Sequence, residues 1–331
     1  MRPFAFTKTT TADEAIRAVA AGGPGTRFLA GGTTLYDLMK LNVEAPERVV
    51  DITGLPDLAR FDTAGPHELV FGALAKMSDV AADPALRRDY PALSESLWKA
   101  ASQQLRNMAS LGGNLLQRTR CAYFRGGAPF ACNKRDPGTG CAAIEGVDRG
   151  HAVLGGSEAC IAVYPGDWAI ALIAFDAVVD VQGPRGQRTI PLERFHLEPG
   201  ATPHVETALA RDELILRVRV PAGALGRAST YHKIRDRESY AFALASAAVA
   251  LDMDGDTVRE ARVALGGLAT RPWRAREAER VLAGRPLTAE TARAAGEAAL
   301  RGARAGHHNG FRIELGVRTV ADALMIARQR A

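Results

Sequence analysis

No stretch of this 331-residue chain is apolar over anything near the roughly 20 residues that a membrane span needs, so no membrane span is expected. The N-terminal MRPFAFTKTTTADEAIRA has no apolar signal core. The expectation is a chain without its own export signal, either cytoplasmic or carried to the periplasm by co-export with a partner subunit. Charge of one sign is scarce: 42 basic and 37 acidic residues leave a net +5. They are spread out rather than gathered into a nucleic-acid footprint, so no nucleic-acid partner is expected. The GxGxxG of a dinucleotide-binding Rossmann unit is missing. No Ser-His-Asp or paired-carboxylate motif stands out, and no catalytic side chain is assigned. Internal repeats are absent. Cysteine is rare, with four in all, and those four fall within one window of 40 residues, 121–160.

What is present reads as a globular chain of two or three domains, 47% apolar and 24% charged. The first 55 residues predict an α/β unit. FAF (4–6) is a short strand, and Thr11 and Glu14 form a capping-box pair before a helix. TRFLA (26–30) is a buried strand, GGTTLYDLMKLN a turn entering a helix, and RVVDIT (48–53) a third strand. Further on, ELVFGALA (68–75) reads as a strand and YPALSESLWKAAS (90–102) as a helix. Residues 166–190 read as helix, strand, Gly-Pro-Arg-Gly turn and strand. ELILRVRVP (213–221) ends on proline, a domain boundary. Beyond it, strands joined by a hairpin at Asp254-Gly255 precede three alanine-rich helical stretches, 273–284, 288–302 and about 311–329.

Two glycine turns are the first chemical candidates. In TRFLAGGTTLYDL, Gly31 and Gly32 allow a tight turn and close approach of an outside group. Thr33 and Thr34 are placed to cap the following helix, whose first N–H groups lack partners and suit a pyrophosphate. RNMASLGGNLLQ (106–117) offers a second Gly-Gly pair with Ser110 and Asn114 beside it. Together the turns suit one extended phosphate-bearing ligand held from two sides; taken singly, each also reads as a plain corner.

The cysteines are separated by ten, eight and eighteen residues, at Cys121, Cys132, Cys141 and Cys160. This spacing has neither the CxxC knuckles of common zinc sites nor the compact ferredoxin run. The surrounding segment is rich in Gly, Arg and Pro, with little apolar periodicity to form a core. Four thiolates require a compensating cation or cluster, and Arg118, Arg120, Arg125 and Arg135 would offset further negative charge. Ligand type alone leaves structural zinc and an iron–sulfur cluster both open. The adjacent His307 and His308 read as a solvated pair.

LAGGTTL, RNMASLGGN, YPGDWAIAL, YHKIRDR and VALGGLATRPWRAREAE occur in that order over nearly the whole chain. This series resembles the FAD-binding medium subunit of the molybdenum hydroxylase, or xanthine dehydrogenase, family. The resemblance implies an α+β fold: a two-subdomain flavin-binding domain of the vanillyl-alcohol-oxidase (PCMH) type over 1–222, with subdomains about 1–55 and 56–222. A C-terminal α/β domain of the CO dehydrogenase flavoprotein type would follow over 223–331. It also implies FAD contacts from Arg27, Phe28, Leu29, Ala30, Gly31, Gly32, Thr33, Thr34 and Leu35 around the pyrophosphate. Ser110, Gly113 and Asn114 would give a second phosphate and ribose contact. Asp167 would lie at the adenosine side, Ile215 on a strand meeting the cofactor, and Lys233 at the flavin. Read without the resemblance, Lys233 is an exposed strand lysine.

QRTRCAYFRGG and the three later cysteines resemble the loop in FAD subunits of bacterial periplasmic aldehyde oxidoreductases. There, four cysteines hold an additional [4Fe-4S] cluster. By that resemblance Cys121, Cys132, Cys141 and Cys160 are metal ligands in an inserted loop, about 118–162. The implied role is electron transfer from [2Fe-2S] centres on a small partner subunit through FAD to an external acceptor. The molybdenum cofactor would reside on a large partner subunit. Two rival readings are a zinc-stapled non-redox scaffold and an FAD subunit using NAD.

Overall fold

A computed structural model describes residues 1–331. The first helix, Ala12–Ala21, shows how local sequence sets an element. Thr11 Oγ1 accepts from the Glu14 amide at 3.2 Å, and the Glu14 carboxylate accepts from the Thr10 and Thr11 amides at 3.0 and 3.3 Å. Its buried face, Ala15, Ile16 and Val19, lies over a small parallel sheet. That sheet comprises β1 (Ala5–Lys8), β2 (Thr26–Leu29) and β3 (Arg48–Asp51), in the order β1-β3-β2.

A second sheet is antiparallel throughout. It holds β4 (Phe61–Asp62), β5 (Glu68–Gly72), β6 (Val178–Gly183), β7 (Gly186–Pro191) and β8 (Leu214–Pro221), in the order β4-β5-β8-β6-β7. Its apolar face packs on short helices and on the wholly buried helix Trp168–Ala174. Phe71 meets Trp168 edge-on, ring centroids 5.7 Å apart, at the centre of this largest core. On the other face Asp180 gathers Arg217 at 2.8 Å and Arg219 at 2.9 Å.

The third sheet has β9 (Ser229–Ile234), β10 (Ala245–Asp254), β11 (Thr257–Gly266) and β12 (Trp273–Arg274), in the order β12-β11-β10-β9. The β10–β11 hairpin turns where expected, with Gly255 at φ +57°. Helices Arg276–Leu282, Ala289–Ala299 and Phe311–Arg328 cover its apolar face and form a second large core. No helix is long and apolar enough to cross a membrane.

Two elements end earlier than the sequence pattern predicts. β5 stops at Gly72, where a Cβ would sit 2.3 Å from the carbonyl oxygen of Leu58, in the short 3-10 turn Pro56–Ala59 that packs against this strand end. The helix expected over 90–102 spans only Pro91–Trp98. Ala101 takes a left-handed φ of +47°, and the Ser102 hydroxyl caps a separate helix, Gln103–Met108.

The cysteine segment does have a core of its own, contrary to its lack of periodicity. Phe124 and Cys132 pack against Leu38, with Val43 and Cys121 around them. The apolar partner comes from the helix Leu35–Lys40, over 80 residues earlier, so periodicity within the segment could not reveal it.

Candidate functional site

The two glycine turns meet. A Cβ on Gly31 would lie 2.0 Å from the Met108 carbonyl oxygen, so only glycine lets the second turn pass this close. That turn is held to the body of the protein by backbone bonds from Met77 to Ala109 (3.1 Å), Leu111 to Ala75 (3.0 Å) and Gly112 to Ala73 (2.8 Å). Ser110 Oγ accepts from the Gly113 amide at 3.3 Å. Gly32 has φ +74° and turns the chain out of β2 into the helix. None of the six successive amides from Ala30 to Leu35 donates to an acceptor within the protein. Thr34 occupies the N-cap position without a side-chain cap bond, so the expected capping by Thr33 and Thr34 does not occur. Both hydroxyls stay available, together with the six N–H groups.

This corner opens on a cleft of about 740 Å3, within the range of roughly 300–1,000 Å3 typical of small-molecule and cofactor sites. Arg27, Phe28, Leu29, Ala30, Gly31, Gly32, Thr33, Thr34 and Leu35 line it, as do Ser110, Gly113 and Ile215. Close glycine approach, a row of free donors and sufficient room fit an extended diphosphate ligand such as FAD. Further cleft residues gave no sequence signal. Glu44 pairs with Arg27 (3.4 Å) and Arg118 (2.6 Å), and Arg118 also reaches Glu206 (2.6 Å). These partners stand up to 88 residues apart, beyond any local pattern. His196 is buried and its Nε2–H donates to the Leu115 carbonyl at 2.9 Å; burial pulls its pKa down to about 4, so it is neutral.

Asn114, Asp167 and Lys233 do not line this cleft. Asn114 turns its amide to Met77 Sδ (3.4 Å), and its Oδ1 is buried without a partner. Asp167 and Lys233 are buried and bound to one another at 2.8 Å. Tyr231 donates to Asp167 at 2.5 Å, and burial beside that carboxylate drives its hydroxyl well above the usual range. Lys233 also donates to the Lys99 carbonyl at 3.0 Å. An ammonium has three N–H groups, so one remains. Lys233 is therefore not the exposed strand lysine that its sequence alone suggests.

A second cavity of about 290 Å3 adjoins the cleft, sharing Thr119, Val163, Tyr164 and Pro165 as walls. It runs past Gly166 to Cys121, His151 and Arg312. Behind it, all four cysteines line one small space of about 10 Å3, room for roughly one water. The four thiols are free. Cys132 and Cys141 face each other across an antiparallel bridge. Burial pushes Cys121 up to about 11 and raises Cys160, for which the nearby Lys134 ammonium offsets part of the rise. The Ala162 amide points at Cys160 Sγ (3.4 Å), and His151 Nε2 lies 3.1 Å from Cys121 Sγ. No three of the chain's His, Cys, Asp and Glu residues are drawn together as ligands of a single metal ion.

The arginines of this loop act as fasteners rather than as counter-charges to the thiols. Arg125 binds Asp37 at 2.8 and 3.0 Å and Arg120 binds it at 3.4 Å, fixing the loop to the helix that follows the Gly31-Gly32 turn. Arg135 donates to the carbonyls of Tyr123, Phe124 and Phe130. The His307 and His308 side chains are exposed, as expected of a solvated pair, but their backbone is anchored. The His307 and His308 amides bind the buried Asp148 carboxylate at 2.9 and 2.7 Å, joining the C-terminal helices to the cysteine loop.

Fold and cleft define a flavoprotein of the molybdenum hydroxylases, and comparison with known proteins agrees. Residues 2–223 match the FAD binding domain in molybdopterin dehydrogenase, and residues 229–325 match the CO dehydrogenase flavoprotein C-terminal domain. The chain belongs to the FAD-binding medium subunits of the molybdenum hydroxylase family and is an oxidoreductase subunit. It is 45% identical, over the full length of both chains, to the aldehyde oxidoreductase FAD-binding subunit PaoB of Escherichia coli (strain K12). It is 28% identical to the carbon monoxide dehydrogenase medium chain of Hydrogenophaga pseudoflava, over 90% of this chain and 86% of that one. A solved carbon monoxide dehydrogenase structure from H. pseudoflava superposes with a TM-score of 0.78 at 26% identity, covering 100% of both chains.

Proposed function

We propose that this chain is the FAD-carrying electron-transfer subunit of a molybdenum-dependent aldehyde oxidoreductase. Its partners are a large subunit with the molybdenum cofactor and a small subunit with [2Fe-2S] centres; electrons leave FAD for an external acceptor. The observation that carries the reading is the run of six unpaired amides, Ala30 to Leu35, beside a glycine that the second turn closes upon. The 45% identical relative, named as an aldehyde oxidoreductase subunit, supports the substrate class.

In this reading the Ala30–Leu35 amides and the Thr33 and Thr34 hydroxyls hold the diphosphate. Ser110, Gly113 and Asn114 hold it from the second turn, Arg27 joins the first turn around the pyrophosphate, and Ile215 meets the cofactor from its strand. FAD supplies two-electron storage that exchanges with one-electron donors. Asp167 follows Gly166, a wall of the second cavity, and holds Lys233, whose remaining N–H suits an acceptor on the flavin. The division near 222/223 separates this flavin-binding part from the C-terminal domain.

Cys121, Cys132, Cys141 and Cys160 hold a [4Fe-4S] cluster in the same reading. Support comes from four free thiols lining one cavity, with N–H groups aimed at two of the sulfurs. Ligands of one zinc ion, at Zn–S of about 2.3 Å, close to roughly 3.8 Å of each other; a cluster spreads its four cysteines more widely. The test of the function is anaerobic addition of an aldehyde. Flavin absorbance is expected to bleach in the assembled complex and to stay unchanged in the isolated chain. Bleaching of the isolated chain, or none in the complex, would overturn the assignment.

A further inference from the structure

His151 holds an unusual position. Its Nε2 lies 3.1 Å from Cys121 Sγ, while its Nδ1 is buried and has no partner in the protein. The ring lies between the cysteine space and the second cavity, beside Tyr123, with ring centroids 6.1 Å apart. Its backbone is fixed from two directions. The His151 amide donates to the Asp148 carbonyl at 2.8 Å, and its carbonyl accepts from Asn309 Nδ2 and Arg312 Nη1, each at 3.3 Å. Asn309 and Arg312 belong to the C-terminal domain and are themselves buried. The histidine is thus aimed at one cysteine by a domain other than the loop that carries the cysteines.

A cysteine that ligates a cluster is a thiolate and can only accept, so with the cysteines as ligands the ring is assigned the Nε2–H tautomer, donating to the Cys121 sulfur. The other thiol with a donor, Cys160, receives the backbone amide of Ala162, which any side chain except proline leaves in place. Hydrogen bonds to ligand sulfurs are among the features that set the reduction potential of an iron–sulfur centre. A donor stabilises the more negative, reduced form.

We propose that His151 is a positioning residue of the cysteine site: its Nε2–H hydrogen-bonds the Cys121 sulfur and raises the reduction potential of the group those cysteines hold. The C-terminal domain, through Asn309 and Arg312, sets that bond. The proposal rests on the [4Fe-4S] reading above, and its test separates the two.

The full chain is purified anaerobically as wild type, His151→Gln and His151→Leu. Iron and acid-labile sulfide are measured per chain, and each protein is titrated electrochemically with the cluster signal followed by EPR. His151→Gln keeps an N–H donor and is expected to retain wild-type iron and midpoint. His151→Leu is expected to keep its iron and shift its midpoint downward by about a tenfold change in the reduction equilibrium, roughly 59 mV for one electron. An unchanged midpoint in iron-replete His151→Leu would overturn the proposal. So would a Gln variant that behaves like the Leu variant, since ring shape and not the N–H would then matter. Wild-type chain without iron or sulfide would instead sink the cluster reading, and this proposal with it.

Discussion

Alanine at position 31 would force its Cβ to 2.0 Å from the Met108 carbonyl oxygen, whereas alanine at the neighbouring Gly32 meets nothing closer than 3.6 Å. The two substitutions therefore separate contact from conformation. Gly32→Ala bears the cost of φ +74°, about 1–2 kcal/mol, and leaves the junction of the turns in place. Gly31→Ala must push the turns apart. It is expected to weaken FAD binding at least tenfold more than Gly32→Ala does, read by flavin fluorescence titration; equal losses would mean the turns do not act together. Glycine pairs are legible in a sequence because glycine alone tolerates such places. Lys233 was less legible. Its burial follows from Asp167, 66 residues away, and no local pattern around it announces a partner.

At the scale of elements, the helix Leu35–Lys40 links both parts of the site. Its start carries the unpaired amides; its Asp37 and Leu38 hold the cysteine loop. The hydrogen bond from Arg125 keeps the Asp37 carboxyl below its ordinary value of 3.8. A depressed folded-state pKa stabilises above the unfolded value, and that stabilisation disappears as pH falls through the folded one. The loop is therefore expected to become protease-sensitive as pH drops below about 3.8, and Asp37→Asn to show that sensitivity already at neutral pH. Limited proteolysis over 118–162 checks both. Cys132 contributes to the Leu38–Phe124 packing as well as to the thiol set, yet serine preserves most of its volume. Cys132→Ser is thus expected to lose iron and to keep most of the FAD, by metal analysis and flavin release. Loss of both would make the loop a structural requirement of the flavin cleft. Strands and long helices were readable from periodicity because their partners are regular. The loop's core was not, since Phe124 packs on a residue outside it.

Across the whole molecule, the C-terminal domain is tied to the rest by buried polar groups. The Arg312 guanidinium donates to the carbonyls of Arg149, His151, Ala243, Leu244 and Gly267 and has no carboxylate partner. Burial draws its pKa down to about 10, which still leaves it charged at neutral pH. Lysine has no planar fork to span these acceptors. Arg312→Lys is expected to cost about 3 kcal/mol, seen as a lower Tm, because several buried carbonyls lose a charged donor. A Tm unchanged from wild type would mean that the Arg312 guanidinium does not help to hold the domains together. The order of the five motifs made the overall architecture legible. The ties between domains, such as Asp148 with His307 and His308, bridge about 160 residues and become visible only in three dimensions.

The central claim is that backbone amides at the Gly31-Gly32 corner hold the FAD diphosphate. Hydrogen–deuterium exchange of the full chain with and without FAD tests it most directly. The peptide covering Ala30 to Leu35, whose amides have no protein acceptor, is expected to exchange rapidly in the FAD-free chain and to become strongly protected once FAD binds. Bound FAD that left the exchange of those six amides unchanged would contradict it.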